Sequence, residues 1–320
     1  MISLAIDLGR YSVKFINCSG KKNSFPSVLG EGKQFTDIYR NSNDVIEYDG
    51  LSYIYGSTAL EQASFLAHDR DAQWVGAKSF LILTLAAISR ITQAVNPKIS
   101  LVTGLPHSDY KSGFKAKVIE ALTGVHTIKA DGPTQHVEIL EPAIFTQSLG
   151  AIWSWTLDDS GNDVRGLSGQ RVGVINCGSQ TTEMLTIHFN GKRPVIIEDA
   201  TRSVSSGFWK AAEALRDRNP GIADDFLADE KLQRPSTPLE QAVIADYNNF
   251  LLLQCEQNWS EQKRRAAKDN IDVFLICGGR GPMIAEYLQG QSWHRNIVLL
   301  SSPQWATVVG YQKFVKRLKR

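Results

Sequence analysis

Apolar residues recur along this chain in two rhythms. Runs at 2–7, 12–17, 45–48, 52–55, 99–103 and 137–140, with a shorter one at 143–145, are rich in β-branched and aromatic residues and bounded by polar turns, which predicts strands. Stretches with apolar residues three and four apart predict helices at 58–68, 79–92, 108–122 and 147–156. The second of these is so rich in Leu, Ile and Ala that it reads as a buried helix, and Ser108 reads as the capping residue that opens the third. After the polar segment 158–170, read as an exposed loop and the best internal boundary, the rhythm resumes. It gives a strand pair within 172–187, a strand at 195–199, a helix at 206–216 and a Pro-bearing loop. A long helix at 238–268, a strand at 271–276, a short helix at 282–288, a strand at 297–300 and a last helix at about 303–319 follow. Strands alternating with helices imply an α/β fold with largely parallel central sheets.

Glycine punctuates this pattern at three informative places. Residues 2–16 and 172–187 share one layout: a β-rich run, a polar residue (Asp7, Asn176), one intervening residue, a glycine (Gly9, Gly178), a small polar turn and a second strand. A glycine there can take positive φ and leave backbone N–H groups uncovered, forming a nest suited to phosphate oxygens. Two such nests, one per half of the chain, point to a phosphate chain gripped between two related domains. The third turn, 278–281, follows an apolar run and precedes a helix, and its glycines would let backbone lie flat against a base or ribose. No Lys-Ser or Lys-Thr pair follows it, and the Rossmann spacing is absent.

Composition narrows the field. The 320 residues suffice for two cores, and 42% hydrophobic with 21% charged residues is ordinary for a globular protein. A net charge of +2 makes no general case for nucleic acid. The basic tail 313–320 either attracts DNA or acidic lipid or complements helix ends, the second being the simpler reading. Cys18, Cys177, Cys255 and Cys277 form no CxxC pair and sit mostly in apolar runs, so reduced core thiols are expected. No signal peptide or membrane-length apolar run is seen, and a cytoplasmic protein is expected.

The order of phosphate hairpin, connecting helix, phosphate hairpin and adenosine turn resembles the superfamily of actin, sugar kinases and heat-shock-chaperone ATPases. Within it the chain is most similar to the ParM-type plasmid-segregation actins and compact archaeal actin-like ATPases. Asp7-Leu8-Gly9 with Lys14 seven residues on matches the first phosphate motif, and Phe25-Pro26-Ser27 the short segment after it. Residues 103–106 with Tyr110 match the turn before a helix, 147–151 the start of the connecting helix, 178–187 the second phosphate motif, 278–281 the adenosine turn and 309–311 the start of the last helix. The resemblance implies an actin-like (ribonuclease H-like) two-domain ATPase fold with mixed central sheets flanked by helices. Domain I would span 1–165, with helix 303–320 packing back on it, and domain II 166–302. The implied cofactors are ATP or ADP and Mg²⁺.

The resemblance also assigns roles. Asp7 would reach Mg²⁺ through water, although capping its own turn is the simpler alternative. Lys14 would contact the β- and γ-phosphates, unless it is an exposed strand lysine. Gln147 would orient the attacking water, with Glu141 as an alternative base and Glu183 as a carboxylate near the second hairpin. Gly9, Arg10, Tyr11, Ser12, Asn176, Gly178, Ser179, Gln180, Thr181, Gly207, Lys210, Gly278, Gly279 and Arg280 complete the expected nucleotide shell. Four positions depart from the family pattern. Arg10 replaces a compact residue and would add a phosphate contact or crowd the turn. Asn176 replaces Asp, which weakens metal attraction and predicts slow hydrolysis, and Glu183 stands where Asp is usual. Arg280 replaces a glycine and would stack on adenine or pair with phosphate.

Three function classes follow. The first is an ATPase that polymerises with itself into filaments and segregates plasmid DNA through a DNA-binding adaptor protein. The second is a nucleotide-dependent scaffold with weak turnover, and the third a small-molecule kinase of the same superfamily. The kinase reading lacks the extra substrate loops such enzymes carry. Residues 206–218 and 293–295 are possible filament contacts, though core packing explains their tryptophans equally well.

Overall fold

The computed structural model describes residues 1–17, 19–31, 44–62, 66–67 and 78–318. Its chain divides into two compact units, Met1–Asn162 with Thr307–Arg320, and Asp163–Ala306.

The first unit is built on one mixed sheet. Its strands are β1 (Ile2–Leu8), β2 (Ser12–Ile16), β3 (Lys22–Pro26), β4 (Leu29–Glu31), β5 (Val45–Tyr48), β6 (Leu51–Tyr55), β7 (Leu66–Ala67), β8 (Lys98–Leu105), β9 (Gly124–Lys129), β10 (Thr134–Ile139) and β11 (Ala143–Thr146). They lie in the order β3-β2-β1-β8-β10-β9-β5-β6-β4-β7, with β11 also paired to β8. Strand β1 is antiparallel to β2 and parallel to β8. Helices α1 (Gly56–Gln62), α2 (Lys78–Ser89), α3 (His107–Lys111), α4 (Phe114–Leu122) and α5 (Gln147–Thr156) accompany it. Residues 80–89 of α2 are all buried, as its composition predicted. Its Phe80, Ile82 and Leu85 join Leu4, Ile6, Val13 and Phe15 of the first hairpin in one core.

The second unit repeats the theme with strands β12 (Arg171–Cys177), β13 (Thr182–Asn190), β14 (Arg193–Ile196), β15 (Arg202–Val204), β16 (Val273–Cys277) and β17 (Ile297–Leu299). Their order is β14-β13-β12-β16-β17, with β15 on β13. Helices α6 (Trp209–Arg218), α7 (Asp225–Gln233), α8 (Pro238–Asn258) and α9 (Gly281–Gly290) complete it. Phe274 lies against both Trp259 and Trp293, at 4.8 and 4.6 Å between ring centroids. Trp209 and Trp293 are buried, so core packing accounts for both.

The last helix, α10 (Ala306–Leu318), packs on α5 in the first unit. Two glycines permit the close crossing. A Cβ on Gly310 would sit 1.7 Å from the Gly150 carbonyl oxygen, and one on Gly150 would sit 2.4 Å from that of Thr307. Beside them Trp153 stacks on Phe314 at 4.0 Å, and Tyr311 Oη donates to the Thr146 carbonyl at 3.1 Å. Two lysines of the basic tail are engaged here. Lys313 Nζ donates to the carbonyls of Ser154 and Leu157 at 2.8 and 2.7 Å, and Lys316 Nζ to that of Asp159 at 2.8 Å, which serves the negative end of α5.

Several expectations need correction. Antiparallel pairings predominate in the described sheets, because hairpins rather than crossovers build most of the first one. The predicted helix 58–68 is helical only through Gln62, and Leu66–Ala67 is a strand on β4; the rest of that stretch lies outside the described residues. Helix 108–122 is broken at Gly113, whose φ of 86° is left-handed, and it begins after Pro106 rather than at a Ser108 cap. The long helix stops at Asn258, where Trp259 turns into the core and donates from Nε1 to Thr186 Oγ1 at 2.7 Å. The Pro-bearing loop contains α7, opened by Asp224 accepting from the Leu227 N–H. Cys177, Cys255 and Cys277 are free and buried as expected, while Cys18 lies outside the described residues.

Candidate functional site

In the first unit three sequence-predicted residues converge. Asp7 ends β1 and is the direct cross-strand partner of Lys14 on β2, so both side chains leave the same face of the hairpin. Lys14 Nζ lies 3.6 Å from Asp7 Oδ2, and Gln147 Nε2, at the start of α5, donates to Asp7 Oδ1 at 3.1 Å. Asp7 and Lys14 are each about nine-tenths buried, at side-chain exposures of 10% and 12%. Burial pushes the Asp7 carboxyl above its ordinary range, and the charge and hydrogen bond of Lys14 and the amide of Gln147 pull it back. Neither an exposed strand lysine nor a carboxylate capping its own turn describes this pair. Glu141 is exposed.

The turn itself is held tightly. Ser27 Oγ donates to the Gly9 carbonyl, and its N–H donates to the Tyr11 carbonyl at 3.0 Å. Gly9 and Gly178 are not in the left-handed conformation, contrary to expectation. What each requires is space: a Cβ at Gly9 would meet the Ser12 carbonyl at 2.9 Å, and one at Gly178 the Thr181 carbonyl at 3.0 Å. The ammonium of Lys14 lies 3.7 Å from that Gly9 position, beside the turn that carries Arg10, Tyr11 and Ser12.

The second hairpin has the same construction with different chemistry. Asn176 on β12 is the direct partner of Glu183 on β13, and both are buried. Glu183 thus occupies the place that Lys14 holds in the first hairpin, seven residues beyond the polar strand-end residue. The Gly178 N–H closes the turn on the Thr181 carbonyl at 3.0 Å. The carbonyls of Gln180, Gly178 and Ser179 accept from the N–H groups of Gly207, Phe208 and Trp209 at 2.9, 3.2 and 2.7 Å. Helix α6 therefore spends its leading N–H groups on the turn and fixes it. A Cβ on Gly207 would meet the Ser179 carbonyl at 2.3 Å. Lys210, one turn on, pairs with Glu213 at 2.7 Å and is 59% exposed.

The third glycine turn adjoins the second hairpin because β12 and β16 are parallel neighbours, with Asn176 paired to Cys277. Gly278 is left-handed, at φ +90°, and a Cβ there would lie 2.2 Å from the Cys177 carbonyl and 2.8 Å from Asn176 Oδ1. Gly279 has open space around it. Arg280 turns inward: Nη2 pairs with Asp229 Oδ1 on α7 at 2.5 Å, and the guanidinium lies 3.9 Å over the Phe208 ring.

Comparison with known proteins decides what this architecture is. Residues 5–150 match the family model described as "Actin like proteins N terminal domain". Solved structures superpose over nearly the whole chain. A ParM from a 15-stranded Clostridium botulinum filament gives a TM-score of 0.77 at 20% identity, covering 99% of both chains. Ta0583, an archaeal actin homolog in complex with ADP, gives 0.79 at 20% identity, covering 99% of this chain and 100% of its own. The actin-like protein Alp7A gives 0.78 at 15% identity, covering 99% and 97%. The fold is actin-like. No match is found among curated proteins.

On this actin-like fold the structure gathers Asp7, Gly9, Lys14 and Gln147 at one turn, and Asn176, Gly178, Ser179, Gln180, Thr181, Gly207, Gly278 and Arg280 around another. It leaves Lys210 on its own helix pair. Sequence reasoning missed Phe208, Asp229 and Tyr247. Tyr247 Oη sits 3.3 Å from Cys177 Sγ and 3.4 Å from Thr182 Oγ1 beneath the second turn. Only tertiary packing brings these residues in, and no local motif marks them. Among the described residues no cluster of three or more His, Cys, Asp or Glu would hold a metal unaided, and no helix is long and apolar enough to cross a membrane. A single buried carboxylate at a glycine turn does fit Mg²⁺, which is bound through one or two carboxylates, water and phosphate oxygens.

Proposed function

We propose that this actin-like protein binds ATP and ADP with Mg²⁺, hydrolyses ATP and polymerises with itself into filaments. The observation that carries the reading is the buried Asp7–Lys14–Gln147 cluster at a glycine turn, with a second hairpin of the same construction in the other unit. Lys14 supplies a fixed positive charge for the phosphates. Gln147 donates and accepts, and so can align a water. Asp7 would hold Mg²⁺ through water, and that ion, when bound, offsets the negative charge of the phosphate oxygens. Binding that favours one conformation would favour the assembling form, and head-to-tail contacts that do not close give open filaments. The ParM filament structure supports this reading, as does the ADP complex of the archaeal homolog. The proposed cargo is plasmid DNA, reached through a DNA-binding adaptor.

Sedimentation and electron microscopy with ATP, a slowly hydrolysed analogue, ADP and no nucleotide test the proposal. Filaments are expected with ATP and the analogue, and fewer with ADP. A protein that stays monomeric at tens of micromolar in every nucleotide would overturn polymerisation.

One observation favours a second reading, a scaffold with weak ATPase activity. The neutral Asn176 turns its oxygen toward Gly278, and its cross-strand partner is a buried carboxylate rather than a lysine. Filaments formed with ATP that release phosphate no faster than ATP alone would select that reading.

A further inference from the structure

Two devices hold the turn of the second hairpin. From one side, the N–H groups of Gly207, Phe208 and Trp209 donate to the carbonyls of Gln180, Gly178 and Ser179. From beneath, α8 reaches both strand ends through a single side chain. Cys177 and Thr182 flank the turn and are direct cross-strand partners. Tyr247 Oη lies 3.3 Å from Cys177 Sγ and 3.4 Å from Thr182 Oγ1, and Thr182 Oγ1 donates to Cys177 Sγ at 3.8 Å. All three residues are buried. Burial pushes the Cys177 thiol and the Tyr247 phenol up, so both keep their hydrogens. Each of the three groups can then donate once and accept once, which closes a ring of hydrogen bonds under the turn.

Packing alone does not account for the hydroxyl. Phe208 meets the Tyr247 ring edge-on at 5.2 Å between centroids. Tyr247 also borders a pocket of about 250 Å³ between α6 and α8, lined by Ala211, Ala214, Val243 and Phe250 among others. Contacts are missing on that side, so the hydroxyl bonds carry much of the restraint.

We infer that Tyr247 is the positioning residue of the second phosphate turn. Its hydroxyl sets the spacing of the strand ends that carry residues 178–181, and through them the backbone groups that meet a phosphate. The role rests on the nucleotide reading above and deepens it, since Tyr247 acts through the turn rather than on the phosphate. Such sites need their donors held within about 0.5 Å of the productive geometry. A residue that only filled the core would leave phosphate affinity untouched when its ring is kept and its hydroxyl removed.

The test is calorimetric titration of the full chain with ATP and with inorganic tripolyphosphate. It compares the wild type with Tyr247→Phe, Thr182→Val, the double variant and Thr182→Ser, with a thermal melt of each. Both single variants should bind the two ligands about fivefold more weakly, the scale of one hydrogen bond. The double variant should lose little more than either single one, because both remove the same link. Thr182→Ser, which keeps the hydroxyl, should bind as the wild type does. Single variants with wild-type affinity, whatever their melting temperature, would make Tyr247 a core residue and overturn the role. Fully additive losses would also overturn it, by showing that the two hydroxyls act separately. A wild type that binds neither ligand would remove the nucleotide reading and this role with it.

Discussion

Lys14 stands directly across the first hairpin from Asp7, its ammonium 3.6 Å from the carboxylate, while the corresponding pair in the second hairpin is Asn176 and Glu183. The two hairpins share a backbone and differ in electrostatics. The first offers a positive charge beside a carboxylate, and the second a neutral amide beside a buried acid. Of the two strand-end pairs, only the one in the first unit carries a positive charge.

Replacing Lys14 by Met removes that charge and leaves Asp7 buried without its counterion. Breaking a buried pair from one side costs about 3 kcal/mol. Urea denaturation should show a loss of that order, reduced at acid pH where Asp7 takes up a proton. ATP binding should weaken along with it. Unchanged stability at neutral pH would mean that Asp7 is already protonated in the folded protein.

The substitution Asn176→Asp tests the second hairpin. It restores the carboxylate expected of the family and would speed hydrolysis or lower the Mg²⁺ requirement if metal attraction is limiting. It also sets two buried acids opposite each other, so one must hold a proton and stability should fall at neutral pH. The double variant Asn176→Asp/Glu183→Lys copies the first hairpin and should recover the lost stability. Thermal melts and phosphate release separate the two effects, and additive melting shifts would argue against a direct pair.

Gln147→Ala should lower kcat more than it raises KM, because a residue that aligns water acts mainly in the transition state. Equal losses of ATP affinity and turnover would assign it to binding or to holding Asp7.

Gly310→Ala probes the support beneath that amide. Its methyl would meet the Gly150 carbonyl at 1.7 Å, forcing α10 away from α5, whose first residue is Gln147. Overpacking of this kind costs about 1–3 kcal/mol. A lower melting temperature with a slower ATPase is expected. A melt within error of wild type would show that the helices separate freely.

His294 gives stability a pH dependence. Burial holds its imidazole below the ordinary value of 6.5, against the pull of its bonds to the Asn296 and Ile271 carbonyls. The unfolded chain therefore takes up the proton first, so this contribution is complete above about pH 6.5 and declines as the pH falls through the lowered folded value. Urea denaturation from pH 8 to 5 should show a decline that is shallower in His294→Gln. Identical slopes would exclude this histidine as the cause.

The sequence by itself determined what depends on local chemistry. Helix α5 was legible to the residue because apolar spacing and a bounding strand define it. The two hairpins were legible because glycine is the residue that lets one carbonyl approach at Gly9 and another at Gly178. Packing decided the rest. Trp259 ends α8 by finding Thr186 in the core, although the residues beyond are acceptable in a helix. The partner of Arg280 was not legible either, because Asp229, which holds its guanidinium, is far away in sequence. Glu183 was expected as a carboxylate near the second hairpin, but that it is buried and directly opposite Asn176 follows from the register alone. Local preference governs where a turn or helix forms, whereas the partner of a buried charge is set by which strands and helices meet.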